Sequence, residues 1–229
     1  MRLSDKTISV LKNFASINSN IVIDGGNTIK TISEAKNILA KIDIDETFDQ
    51  TFGIYDLSEF LSVVNLVDTP EDKPNLSFQE NFVTISDASG LANIKYFFSD
   101  IEMLTKAGKD VRMPNGEVKF DLDENVLNKL KAAASALGHS ELFIEGVSDS
   151  LAKITVTTSD NATANTYSIE IPATSESNTY KFVYNINNLK ILPGNYEVEI
   201  SSQKISKLTN STNGLQYWIA LEKTSTYGE

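Results

Sequence analysis

Apolar residues return at helical spacing near the start of the chain. Ile8, Val10, Leu11, Phe14, Ala15 and Ile17 line one side, while Asp5, Ser9, Lys12, Asn13 and Ser16 line the other. The spacing predicts a first helix from about Ser4 to Asn18, with the Ser4 hydroxyl as N-cap. A second helix is expected from Asp56, paired with Glu59 in a capping-box-like arrangement. Leu57, Phe60, Leu61 and Val64 supply its apolar stripe, and Pro70 lies past its end. A third is expected from about Asp123 to Leu137, stopped by Gly138. Val126, Leu130, Ala133 and Leu137 are its expected buried residues; Asn128, Ala132 and Ser135, flanked by Lys129 and Lys131, point away. A short fourth helix is expected near Ile186 to Ile191, ended by Pro193-Gly194.

Most of the remainder alternates with period two. Phe48–Tyr55, Phe82–Ser86, Asn93–Phe98, Glu141–Glu145, Lys153–Thr157, Tyr167–Ile171, Tyr196–Ile200 and Gln216–Leu221 read as strands. One apolar face per strand implies antiparallel sheets covered on one side, hence an α+β fold.

The pattern also repeats. Leu3-Ser4-Asp5 and Leu122-Asp123-Glu124 both open helices, 119 residues apart, and at that offset Ile8 matches Leu127, Leu11 matches Leu130 and Lys12 matches Lys131. Ala15-Ser16 matches Ala134-Ser135 likewise. Tyr55-Asp56-Leu57-x-x-Phe60 resembles Tyr184-Asn185-Ile186-x-x-Leu189 at an offset of 129, so a longer loop is expected in the second half, near Ser159–Ala164. Two helix pairs in the same order, each followed by strands, indicate duplication. Ile101–Gly116 holds Lys106-Ala107-Gly108-Lys109 and Pro114-Asn115-Gly116, lacks periodicity and reads as a connector. The expected domains are therefore residues 1–100 and 117–229, joined by 101–116.

Composition narrows the chemistry. With no cysteine and one histidine, His139, thiolate or histidine-rich metal sites and cysteine nucleophiles are excluded. Gly25-Gly26 is an isolated pair rather than a phosphate loop, and no hydrolase elbow, zinc-protease helix or calcium loop occurs. Asp43, Asp45, Glu46 and Asp49 read as a solvated turn before a strand rather than a metal or acid–base cluster. His139 suits the C-terminal end of the third helix, where a cation complements the helix dipole. No cofactor or metal is expected, no apolar run approaches the ~20 residues that span a bilayer, and a cytoplasmic location is the simplest expectation.

The formal charge of −11 runs against contact with nucleic acid unless the few cations are gathered on one surface. Lys12 and Lys131 hold equivalent positions on the polar sides of duplicated helices, with Lys6 and Lys129 nearby. Between them lie Ser9, Asn13, Ser16, Asn125, Asn128 and Ser135, a neutral lining suited to loose, water-mediated approach to phosphates. An ordinary solvated helix face carries lysines too, and the second helix has none.

The stretch Leu11-Lys12-Asn13-Phe14-Ala15-Ser16-Ile17-Asn18-Ser19, after Leu3-Ser4, resembles the sliding clamps of tailed bacteriophages, which share the fold of proliferating cell nuclear antigen. Ile54-Tyr55-Asp56-Leu57-x-x-Phe60-Leu61, Pro193-Gly194-Asn195-Tyr196 and Ala220-Leu221-Glu222 extend the likeness along the chain; residues 70 to 120 diverge. The resemblance implies duplicated clamp domains, antiparallel sheets outside and two helices per domain on the inner face. It implies a homotrimer closed head to tail around duplex DNA, a replicative DNA polymerase as partner, an ATP-dependent clamp loader and no catalysis. Lys6, Lys12, Lys129, Lys131 and Lys190 are then the DNA-facing set. Subunits are expected to pair Leu91, Ile94, Tyr96 and Phe98 of one copy with Tyr167, Ile169 and Ile171 of the next. A partner-peptide pocket between the domains is expected from Met103, Leu104, Val111, Tyr217, Trp218 and Ile219. The competing readings are a β-rich structural particle protein, suggested by Ser/Thr/Asn-rich strands, and a small carbohydrate- or peptide-binding domain.

Overall fold

A computed structural model describes residues 1–69, 72–108, 111–161, 163–177 and 179–228. Pro70, Lys109 and Ala162 of the expected loop therefore lie outside the described residues. The chain divides into two compact units, Met1–Lys109 and Asp110–Glu229.

The first unit opens with helix α1, Asp5–Ile17, capped as its sequence dictates: the Ser4 side chain accepts the Thr7 N–H. Val10, Leu11, Phe14 and Ile17 are buried, joined by Thr7; Ile8 and Ala15 are half-buried. The strands are β1 Ile21–Ile23, β2 Gly26–Ile32, β3 Ile38–Phe48 and β4 Phe52–Ile54. Helix α2, Leu57–Asn65, follows with Asp56 as N-cap, and all four residues of its expected stripe are buried. Strands β5 Asn75–Phe78, β6 Phe82–Ser86 and β7 Asn93–Phe97 form a three-stranded antiparallel sheet in chain order. β1 pairs with β4, and β2 with β3.

The acids Asp43, Asp45 and Glu46 do not form a turn. They sit on β3, where Ile42 and Ile44 bury and the alternate positions face outward. Glu46 accepts hydrogen bonds from the Ser4 N–H and, at 2.7 Å, from the Thr7 hydroxyl. Burial raises the pKa of this carboxyl, but the Thr7 and Ser4 bonds outweigh it and hold the group below the usual carboxylate range. A carboxylate at the N-terminus of α1 also complements the helix dipole, so Glu46 pins α1 to β3. The expected strand Phe48–Tyr55 is interrupted: β3 ends at Phe48 and β4 begins at Phe52.

The second unit opens with β8 Val118–Leu122 and helix α3, Glu124–Leu137, capped by Asp123 and closed by Gly138 in the left-handed conformation (φ 70°). Strands β9 Glu141–Ser148, β10 Leu151–Thr157, β11 Tyr167–Pro172, β12 Thr174–Ser175, β13 Tyr180–Asn185, β14 Tyr196–Ser201, β15 Ile205–Asn210, β16 Gln216–Ala220 and β17 Thr226–Tyr227 follow. One sheet runs β11-β10-β9-β13-β17, and the other runs β12-β8-β14-β15-β16, antiparallel throughout.

Two expectations are corrected here. The buried stripe of α3 is Leu127, Leu130 and Ala134, not Val126, Leu130, Ala133 and Leu137. In an alanine-rich helix several faces are similarly apolar, and the sheet selects the one with two leucines a turn apart. The expected fourth helix is a single 3₁₀ turn, Ile186–Asn188, so among the described residues this unit carries one α-helix rather than two. The Asn185 side chain accepts the Asn187 N–H, a local turn that competes with helix propagation, and Asn187 and Asn188 are poor helix formers. The matched tyrosines also part company: Tyr55 is exposed and Tyr184 is buried.

Candidate functional site

The three helices are where the acidic excess of the chain disappears. They carry four lysines against three carboxylates, although the whole chain stands at −11. On α1, Lys6, Ser9, Lys12 and Ser16 are exposed, and the Ser16 hydroxyl donates to the Asn13 carbonyl at 2.6 Å. Ser58, Leu61, Ser62 and Asn65 of α2 line an open groove with Lys12 and Ala15 of α1 and the exposed Leu66. On α3, Lys129 is exposed and Lys131 half-buried; burial holds the Lys131 ammonium pKa below the ordinary lysine value. Lys190, beyond the 3₁₀ turn, is exposed. On each unit, small neutral groups beside separated cations are the kind of lining suited to loose contact with phosphates.

Both strands expected to join subunits lie at sheet edges: β7 ends the three-stranded sheet, and β11 ends the five-stranded sheet. A free edge presents unpaired amides and carbonyls ready for another strand. Leu91 is exposed, Ile94 and Phe98 are half-buried, and Tyr167 and Ile169 are half-buried beside the buried Ile171. Tyr96 points inward to α2. Its ring meets Phe60 edge-on with centroids 5.2 Å apart, and its hydroxyl donates to Glu59 at 3.2 Å. Burial, with the Glu59 charge, pushes its pKa up to about 12. Sequence reasoning passed over the other side of β7, where Phe97 is 63% exposed and the Lys95 ammonium lies 3.8 Å from the Phe82 ring centroid. Strict alternation against Ile94 and Tyr96 was the available signal.

Of the residues expected to form a peptide pocket, Met103 is exposed, Leu104 is buried against Gly53, and Val111 is half-buried. Thr105 and Lys106 fasten this stretch to the first unit, through Asn20 and Asp24. Tyr217 and Ile219 are wholly enclosed, with the Tyr217 hydroxyl accepting the Leu192 N–H at 3.1 Å. Side chains without accessible surface do not touch a peptide, so these two belong to the core of the second unit. Trp218 projects to the other side of β16, as alternation requires, with the Lys207 ammonium 5.7 Å from its ring centroid, yet it too is only 7% exposed.

His139 donates from its ring to the Asn165 carbonyl at 2.8 Å, fastening the end of α3 to the strand-leading loop. Among the described residues, no group of acids and histidine is placed to hold a metal ion, and no helix is long and apolar enough to cross a membrane.

Comparison with known proteins places these features. A family model described as DNA polymerase processivity factor matches residues 3–92, and one described as gp45 sliding clamp, C terminal, matches residues 119–223. The chain is 33% identical to the sliding clamp of Vibrio phage KVP40 over 97% of its own length and 99% of that protein. It is 28% identical to the sliding clamp of Escherichia phage RB69, covering 99% of both chains. In three dimensions it resembles PCNA from Thermococcus kodakaraensis, with a TM-score of 0.72 at 13% identity over 95% of this chain and 96% of that one. The A. fulgidus PCNA, in a structure with the C-terminal region of FEN-1 bound, superposes with a TM-score of 0.66 at 15% identity, covering 94% of each chain. Matches spanning both halves leave no ground for a particle protein or a carbohydrate-binding domain. The chain belongs to the family of bacteriophage sliding clamps, the processivity factors of DNA polymerase.

Proposed function

We propose that three copies of this chain close head to tail into a ring around duplex DNA, and that retention on the DNA is topological rather than adhesive. The observation that carries this reading is the pairing of features in one chain: helices relieved of the acidic excess, and a free strand edge in each unit. In a head-to-tail arrangement the edge β7 of one copy meets the edge β11 of the next, a heterologous contact that closes because the rotation is threefold. Closure also covers edges that would otherwise invite aggregation.

Lys6, Lys12, Lys129, Lys131 and Lys190 then face the hole, and the acidic remainder faces outward. Weak, screened contacts to phosphate let the ring slide, while the ring itself keeps the polymerase from leaving. The protein performs no chemistry in this reading; an ATP-dependent loader opens the ring, in the cytoplasm of the host cell. The polymerase docks by a short apolar peptide beside the connector of residues 101–116, which links the domains 1–100 and 117–229, with Met103, Leu104, Val111 and the neighbourhood of Trp218 as candidate contacts.

Retention on DNA tests the proposal. Loaded protein should stay on closed circular DNA and be lost when the circle is cut, because only a ring runs off an end. Equal retention on both forms would point to adhesive binding. Solution mass should approach three times 25.2 kDa at high concentration; a strict monomer there, with loader present, would sink the ring.

A further inference from the structure

Four strands of the second unit each place one charge in a single row. Lys181 of β13 faces Glu145 of β9, Glu145 faces Lys153 of β10, and Lys153 faces Glu170 of β11. Residues at facing positions project to the same side of a sheet, here the side opposite the buried Ile144, Ile154 and Phe182. Opposite charges at such positions stabilise a strand pair and like charges oppose it. The row alternates in sign and stops at Glu170, an exposed carboxylate on an edge strand. Its next position belongs to whatever strand continues the sheet.

Strand β7 fits that position. Its outward side carries Asn93, Lys95 and Phe97, with Lys95 the one charge, held over the rings of Phe82 and Phe97 at 3.8 and 4.8 Å. We propose that β7 of a second copy continues the sheet antiparallel to β11 with Lys95 opposite Glu170, extending the row to five alternating charges. The inference rests on the ring reading above and adds its register. Antiparallel is the orientation of every pair within the two edge sheets.

In this register Ile94 faces Ile171, Tyr96 faces Ile169 and Phe98 faces Tyr167, so the inward side is apolar at every step. A slip of one residue turns those side chains to the wrong side. A slip of two sets Glu170 against Asn93 or Phe97 and leaves Lys95 facing Ser168 or Pro172. Apolar alternation therefore fixes which side of β7 faces inward, and the charge row selects one alignment among those two residues apart.

The chain has no cysteine, so introduced pairs report the alignment directly. Facing Cβ atoms in antiparallel strands lie about 4.5–5.5 Å apart, near the spacing of a disulfide. Oxidised protein carrying Lys95→Cys with Glu170→Cys should therefore yield a covalent trimer on denaturing gels. Phe97→Cys with Ser168→Cys should do the same. Lys95→Cys combined with Ser168→Cys or Pro172→Cys, and Phe97→Cys with Pro172→Cys, should cross-link in lower yield. Without cysteines, Lys95→Glu or Glu170→Lys alone should weaken subunit association about fivefold, and the exchanged pair should restore it. Preferred cross-linking of a shifted pair, or an exchanged pair as weak as the single reversals, overturns the register while leaving the ring intact. A parent protein that stays monomeric at high concentration overturns the ring reading and the register with it.

Discussion

Lys12 and Lys131 occupy matching turns of α1 and α3, yet Lys12 is exposed while Lys131 is half-buried and its pKa is held down by that burial. The duplication kept the charge and changed its surroundings. A cation retained where the protein disfavours it suggests a use outside folding, consistent with the DNA-facing role proposed for it.

Stability should register that penalty. The folded pKa of Lys131 lies below its unfolded value of 10.5, so the unfolded chain binds more protons between the two. Stability therefore rises with pH through that window, and the penalty is fully present at neutral pH. Lys131→Met should raise the melting temperature at pH 7 by about 1–3 °C. The gap should shrink as the pH approaches 10.5. Thermal melts of both proteins from pH 7 upward check this, and a variant no more stable at pH 7 would show that the site does not disfavour charge.

Processivity should depend on the lysines collectively. Lys12→Glu alone should cost little, because one exposed charge is screened by salt. Reversing Lys12 and Lys131 together should shorten products on a primed circular template about threefold to tenfold, with the deficit shrinking as salt is raised and screens the charges. Because Lys131 is half-buried, Lys12→Glu with Lys131→Gln serves as the folding-neutral companion. Normal product length in both would remove these lysines from the DNA-facing set.

Gly53 is a separate point of sensitivity. A Cβ there would lie 2.6 Å from Leu104 Cδ1 and 2.9 Å from the Ser99 carbonyl oxygen. The latter is backbone, fixed by the Ser99 N–H donating to the Gly53 carbonyl at 2.9 Å, so it cannot simply swing away. Gly53→Ala should destabilise the protein by about 1–3 kcal/mol, read as a lower urea midpoint. It should also loosen the stretch from Ile101 to Lys106, visible as faster amide exchange there. An unchanged midpoint would mean that β4 and the connector yield without cost.

What the sequence made legible follows from where the information is local. α1 and α2 could be placed because cap and stripe agree: Ser4 and Asp56 accept first-turn amides, and the stripe residues repeat with one period. The face of α3 was misjudged because its alanines leave the period ambiguous, although the repeat that matches Ile8, Leu11 and Ala15 to Leu127, Leu130 and Ala134 already pointed to the right one. The acids of β3 looked like a turn because carboxylates disfavour strands, yet Ile42 and Ile44 alternate between them. The exposure of Lys6, Lys12 and Lys129 was readable from helical position alone. Which strands form edges, and that Lys181, Glu145, Lys153 and Glu170 share a row, depends on pairing between distant segments and has no local signature.

Trp218, the single tryptophan, offers the remaining measurement. It lies on the side of β16 facing Lys207 and is 7% exposed, so its emission should be blue-shifted and poorly quenched by acrylamide. Trp218→Ala empties a large buried volume and should cost about 3–5 kcal/mol of stability. Lost peptide binding in that variant would therefore not separate an anchor from a collapsed unit. Trp218→Phe retains an aromatic ring, so a polymerase-derived terminal peptide can be titrated into folded parent and variant alike. If the indole contributes to the docking surface, the peptide should shift the parent's emission and bind the variant more weakly, the pattern of an aromatic anchor. A peptide that binds both equally and leaves the emission unchanged would assign Trp218 to the core with Tyr217 and Ile219, and leave Met103 and the connector as the surface the polymerase meets.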